Sequence, residues 1–153
     1  MTLFTGDLLE LARRGVFDVI VHGCNCQHAM DAGIARAIRE QFPAAYEADL
    51  RTARGDRAKL GTISVAEVGP LAIVNAYTQF HFRGGASGEA KYDAIRDAFR
   101  AVRRRFTGRR IGYPRLGTGL GGGDWALIAS IIDQELAGES HALVLRPRTC
   151  GNG

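Results

Sequence analysis

The sequence predicts an α/β fold, a three-layer α/β/α sandwich with a mixed, mostly parallel central sheet of about six strands. Three observations lead there. Short apolar, β-branched runs alternate along the chain with segments of helical period. Two of the runs are separated only by Gly69 and Pro70, which implies one antiparallel hairpin in an otherwise crossover-connected sheet. A length of 153 residues with 46% hydrophobic and 24% charged residues suits one domain over residues 1–153 and excludes disordered or fibrous classes.

Taken in order, 2–4 starts a short strand, 8–14 gives a helical turn or two, and 18–22 (D-V-I-V-H) is a buried strand ending in a G-C-N-C loop. A helix over 32–41 places Ile34, Ile38 and Phe42 on one face, and Pro43 starts a second that runs towards Arg54. The hairpin strands are 62–68 and 71–75. The clearest helix is 90–105, since Tyr92, Ile95, Phe99, Val102 and Phe106 recur at helical spacing. A strand at 110–113, a glycine-rich loop at 115–123, a helix at 125–136 and a strand at 141–145 complete the series.

Charge and cysteine usage narrow the classes. Lys+Arg 20 against Asp+Glu 16 gives +4, and every basic residue except Lys59 and Lys91 is arginine. This suits an anionic partner. The densest stretch, Arg96 to Arg110, reads as a solvated helix back because Asp93 and Asp97 interleave. Cys24, Cys26 and Cys150 form no structural pair, and neither a leader nor an apolar run of about 18 residues stands out, so a cytoplasmic protein away from membranes is expected. The four histidines have no zinc-ligand spacing, and neither metal nor cofactor is expected.

Chemistry concentrates in two loops. R-L-G-T-G-L-G-G-G-D-W, 115–125, follows a strand and enters a helix. Residues without a Cβ let successive N–H groups converge on phosphate oxygens, and the following helix adds favourable potential. Gly117, Gly119 and Gly122 also satisfy G-x-G-x-x-G, yet the loop stands late in the chain with no acidic residue at the end of the next strand, which excludes a dinucleotide fold. A second strand-loop-helix passage runs from Gly23 to Ala35. Two such loops could cradle a diphosphate from both sides, which points to a nucleoside diphosphate ligand.

At these residues the sequence resembles the macro domain family of ADP-ribose binders. Gly6-Asp7-Leu8, V-I-V-H-G-C-N-C with D-A-G-I-A, and P-R-L-G-T-G-L-G-G-G-D-W are similar to its motifs in order and spacing, over nearly the whole chain. The I-V-H-x-C-N-C and G-x-G-L…W forms resemble the branch that holds ADP-ribose-1″-phosphate phosphatases and terminal ADP-ribose glycohydrolases.

The resemblance implies that Asp7 accepts a hydrogen bond from the adenine amino group, although it could equally cap a helix. Gly33 and Ile34 would face the diphosphate and distal ribose, opposite Thr118, Gly119, Leu120 and Gly121, with Leu8, Ala32, Gly117 and Gly122 completing the lining. Asn25 would contact the distal ribose hydroxyls. The Asp of the best-known hydrolases is Ala35 here, and the Asp that follows G-x-G-L in terminal glycohydrolases is Gly121. Those glycohydrolases use a lysine nucleophile, but Lys91, in the first turn of a helix, reads as a solvated residue.

Asp31 and His81 remain to activate a water that Asn25 orients, with His22 a core residue and Asp124 a helix cap. The expected activity is hydrolysis at the distal ribose of an ADP-ribosyl ester, O-acetyl-ADP-ribose or ADP-ribose-1″-phosphate. The alternative is a non-catalytic reader of ADP-ribosylated protein or nucleic acid. The partner is ADP-ribose or an ADP-ribosylated substrate, nucleic acid entering only in modified form, and the protein is expected to act as a monomer.

Overall fold

Val19, Ile20 and Val21 are inaccessible to solvent on both sides, as an interior strand of a covered sheet must be. They open β2 (Val19–Asn25) in a computed structural model that describes residues 1–81, 88–117 and 123–147, without the side chains of 88–90. The other strands are β1 (Thr2–Thr5), β3 (Ile63–Val68), β4 (Leu71–Gln79), β5 (Ile111–Tyr113) and β6 (His141–Leu145), in the spatial order β1-β6-β5-β2-β4-β3. All neighbours pair in parallel except β3 and β4, the expected hairpin.

Alternation along the strands sends side chains to two cores. Val19, Val21, Val74 and Tyr113 pack beneath α4 (Gly88–Arg105) and α5 (Trp125–Glu135). Ile20, Ile73 and Val144 pack beneath α1 (Leu8–Arg13), α2 (Gly33–Gln41) and α3 (Pro43–Leu50). The result is the three-layer α/β/α sandwich that the alternating pattern predicts.

Three boundaries differ from expectation. Gly23 to Asn25, expected as loop, continue β2, and β4 runs on to Gln79, with a register shift at Cys24 and Asn25. The polar residues that suggest an early end are satisfied internally. His22 and Asn75 share a 2.6 Å hydrogen bond, Asn75 donates to the Ala45 carbonyl (2.9 Å) and to Ser64 Oγ (3.0 Å), and Tyr77 donates to buried Asp49 (2.7 Å). Helix α3, expected to run towards Arg54, ends at Leu50, because the Thr52 amide and hydroxyl both donate to the Asp49 carbonyl and close its last turn.

The glycine-rich loop leaves the sheet through Leu116 and Gly117 and returns at Gly123. Gly117 has a φ of +79°. A methyl group at Gly123 would fall on the Gly117 carbonyl oxygen, so the two ends of the loop meet in a neck that only backbone can form. Thr118 to Gly122 lie outside the described residues.

Two consequences can be measured. Gly123→Ala should destabilise the protein by about 2 kcal/mol and lower Tm by about 5 °C, since the clash is with backbone and cannot be relieved by a rotamer change. Burial lowers the His22 pKa from 6.5 to about 4. Below pH 6.5 the unfolded chain therefore binds a proton that the native state refuses. Stability from this group is complete above pH 6.5 and is lost as pH falls towards 4, by about 3 kcal/mol in all. Urea denaturation of His22→Gln between those limits should show a shallower acid slope than wild type.

Candidate functional site

The carboxyl ends of β2, β4 and β5 open onto three adjoining cavities, the position where open α/β sheets bind ligands. The central one, about 400 Å³, is lined by Gly23, Cys24, Asn25, Asp31, Ala32, Ile34, Thr78, Arg115 and Gly117 among others. A second of about 220 Å³, lined by Asp7, Leu8, Val144 and Arg146, shares Ile34, Pro114 and Arg115 with it. A third of about 490 Å³, lined by Gln27, His28, Tyr46, Arg54 and His81, shares Ala29 and Asp31 with it. An elongated ligand entering at Asp7 would thus pass Arg115 and Gly117 and leave beside Asp31.

Backbone geometry prepares the middle. Helix α2 has no side-chain cap, so its first-turn amides stay available at the cavity edge. Gly33, at φ +56°, lies against open space where a side chain would stand. A Cβ at Gly23 would come within 2.9 Å of Thr78 Oγ1, which explains a glycine inside a strand. Exposed Arg115 lines both the central and the second cavity and supplies a cationic wall to each.

Asp7 caps α1, its carboxylate accepting from the amides of Leu9 (2.9 Å) and Glu10 (3.2 Å), and it also lines the small cavity beside buried Leu8. Arg146 approaches it at 3.9 Å. Asn25 lines the central cavity with its amide engaged: Nδ2 donates to the Ala29 carbonyl (2.8 Å), and Oδ1 accepts from the amides of Gln27 (2.9 Å) and Ala29 (3.3 Å). Asp31 stands on the outer lip with its side chain 72% exposed, paired to Arg39 at 3.0 Å. His81 is on the wall of the third cavity, its ring edge-on to Phe80. Thr118, Gly119, Leu120, Gly121 and Gly122 lie outside the described residues. His22 is a core residue and Asp124 caps α5, both as expected.

Lys91 is the correction. Far from being solvated, it is 2% exposed, and its Nζ is one of two buried side-chain polar atoms without a hydrogen-bond partner among the described residues. It packs against the loop neck, with Nζ 3.1 Å from where a Gly123 Cβ would stand and Cε 3.5 Å from that of Gly117. Burial pushes its pKa below the ordinary lysine value. A signal was present in the sequence: Lys91 lies four residues before Ile95 and eight before Phe99, on the apolar stripe of α4 rather than its charged back. The other unpartnered ammonium, Lys59, sits 4.4 Å over the Tyr77 ring.

Known proteins share this sequence pattern and fold. The 17.5 kDa protein of the tk-vs intergenic region of Enterobacteria phage T4 is 35% identical over 133 residues, covering 84% of either chain. A DNA ADP-ribosyl glycohydrolase of Thermus aquaticus is 28% identical over 86% of this chain, which spans 36% of that longer protein. The solved macrodomain of Thermus aquaticus DarG superposes with a TM-score of 0.75 at 25% identity, covering 95% of this chain and 97% of that one. The macro domain family model matches residues 21–132, and the chain belongs to the macro domain family.

Proposed function

We propose that this protein binds ADP-ribose along the two smaller cavities and hydrolyses the bond at C1″ that joins it to a base of DNA. The observation that carries the proposal is Lys91, an amine buried at the neck of the glycine loop without a hydrogen-bond partner among the described residues. An unpaired buried ammonium is costly, and the cost falls when the group is neutral, the state in which a lysine is nucleophilic. The resemblance to terminal glycohydrolases, which use a lysine in this way, and the likeness to a DNA ADP-ribosyl glycohydrolase support the same reading.

In this scheme the adenine occupies the cavity beside Asp7, Arg115 and the α2 amides hold the diphosphate, and the distal ribose lies against Gly117. The neutral Lys91 amine attacks C1″. The C1″–base bond breaks, and the proton shed by the amine goes to the departing base nitrogen. The resulting glycosylamine opens to an imine, water adds at C1″, and the Lys91 amine is restored as ADP-ribose forms. The balance is one water in, and ADP-ribose and an unmodified base out. Asn25, its amide engaged with the 27–29 backbone, holds the loop rather than the water. Asp31 and His81 border the exit side, where the departing group passes.

Lys91→Ala should lower turnover of ADP-ribosylated DNA by ~10³-fold and change ADP-ribose affinity by less than ~1 kcal/mol in calorimetry. Borohydride added during wild-type turnover should trap an adduct on a peptide containing Lys91. The limb of kcat/KM that rises with pH should track an amine titrating below the ordinary lysine range and disappear in the variant. Full activity of Lys91→Ala, with Asp31→Ala inactive, would instead assign the chemistry to a carboxylate-held water. At the other end, Asp7→Ala should narrow the preference for ADP-ribose over its inosine analogue and lower stability by about 1 kcal/mol through the lost cap.

A further inference from the structure

The third cavity is larger than ADP-ribose binding requires. With adenine at Asp7 and the distal ribose at Gly117, the ligand is accommodated by the first two cavities, and the remaining 490 Å³ adjoins the central one at Ala29 and Asp31, sharing no lining residue with the cavity at Asp7. It is the space beside the ribose end of the cleft that a group attached at C1″ can enter.

Its walls are constructed from held parts. His28 has a φ of +57°, a conformation non-glycine residues seldom adopt, and two contacts keep it there: its Nε2–H donates to the Thr52 carbonyl (2.9 Å), and Tyr46 donates to the His28 carbonyl (3.3 Å). Leu50, 47% exposed, offers an apolar patch at the edge. Arg54 lines the opening, and Arg51 and Arg57 flank it in sequence, all exposed.

Charge distribution identifies the occupant. On α4 and nearby, Arg96 and Arg100 pair with Glu135 and Arg110 with Asp18, while Arg103, Arg104, Arg105 and Arg109 enter no ion pair among the described residues but line none of the three cavities. Among the described residues, Arg51, Arg54 and Arg57 enter no ion pair. The acids nearest in sequence are engaged elsewhere, Asp49 buried beneath Tyr77 and Asp56 accepting from the Ala58 amide. Arg57 also lies 4.0 Å over the Phe80 ring, and such an arginine and aromatic pair suits stacked bases.

We infer that the third cavity receives the base released from ADP-ribose, and that Arg51, Arg54 and Arg57 grip the phosphates of the single-stranded DNA carrying it. The inference rests on the function proposed above. A base whose atom is joined to C1″ in this cleft cannot remain stacked in a duplex, which selects a single strand.

The experiment compares wild type with Arg51→Glu/Arg54→Glu/Arg57→Glu, first confirming by thermal unfolding that the exposed substitutions leave the fold intact. Fluorescence anisotropy with unmodified single-stranded DNA of about ten nucleotides should show at least tenfold weaker binding by the variant, and a slope of log K against log[salt] reduced by about 2. The KM for an ADP-ribosylated strand should rise about tenfold while that for an ADP-ribosylated mononucleoside stays the same. Unchanged anisotropy and salt slope would overturn the inference, as would an arginine-dependent KM for an ADP-ribosylated peptide but not for the strand. If wild type releases ADP-ribose from neither DNA substrate yet grips the strand through these arginines, the proposed reaction fails and the strand surface stands. If it cleaves both equally well with and without the arginines, the reaction stands and the surface fails.

Discussion

The site depends on a hydrogen-bonded seam through the middle of the fold, centred on Asn75. This side chain is fully buried on β4, joined on one side to His22 of β2 and on the other to the Ala45 carbonyl of α3 and to Ser64 of β3. A buried amide left unpaired would cost about 1–3 kcal/mol, so the seam tolerates few alternative arrangements. It fixes β2 against β4 at the level where the main core passes into the smaller cluster of Cys24, Cys26 and Tyr77. Beyond it the two strands continue to Asn25 and Gln79, carrying Gly23 and Thr78 into the cleft. Apolar packing alone would allow those strand ends to fray, and the ligand surface is composed of strand ends.

The cleft adds a second constraint, the close approach of backbone to backbone. Gly23 admits Thr78, and Gly123 admits the Gly117 carbonyl. The neck that results encloses Lys91, whose stem packs beside Ile95 and Ile128 at the edge of the larger core. Ordinary packing would satisfy this position with a leucine. A lysine there gives up stability for an amine whose pKa burial lowers, held beside the glycine-rich loop, which is how functional groups with displaced pKa values are generally obtained.

The fold was legible because its signal is local and repeated: apolar period along α4, alternation along β3, and glycine and proline at the hairpin. The strand ends were less so, since the residues after Asn75 look like loop until the hydrogen bond from Tyr77 to Asp49 shows how the strand continues. In the site, glycine loops announce themselves by composition, whereas Asn25, Asp31 and Lys91 are distinguished only by what surrounds them. Asn25 turns its amide on its own loop, Asp31 is spent on Arg39, and Lys91 is buried. The heptad-like position of Lys91 on the α4 stripe carried the information, but a lysine's long stem makes a solvated head the natural expectation at a helix start.

The arginines follow the same logic of surroundings over composition. A net charge of +4 and a dense run from Arg96 to Arg110 draw attention to α4, where Glu135 and Asp18 pair with Arg96, Arg100 and Arg110 and the remaining arginines line none of the three cavities. The potential that reaches solvent is set by unpaired charges, and three of these stand around α3 and the turn that follows it, beside the cavity rather than across the molecule. Placed there, they would draw a polyanion to the end of the cleft away from Asp7, so that, in the proposed reaction, attraction of the strand and presentation of the bond to be cut would become one event. On α4 the same charge would hold a strand without directing it to any reacting atom.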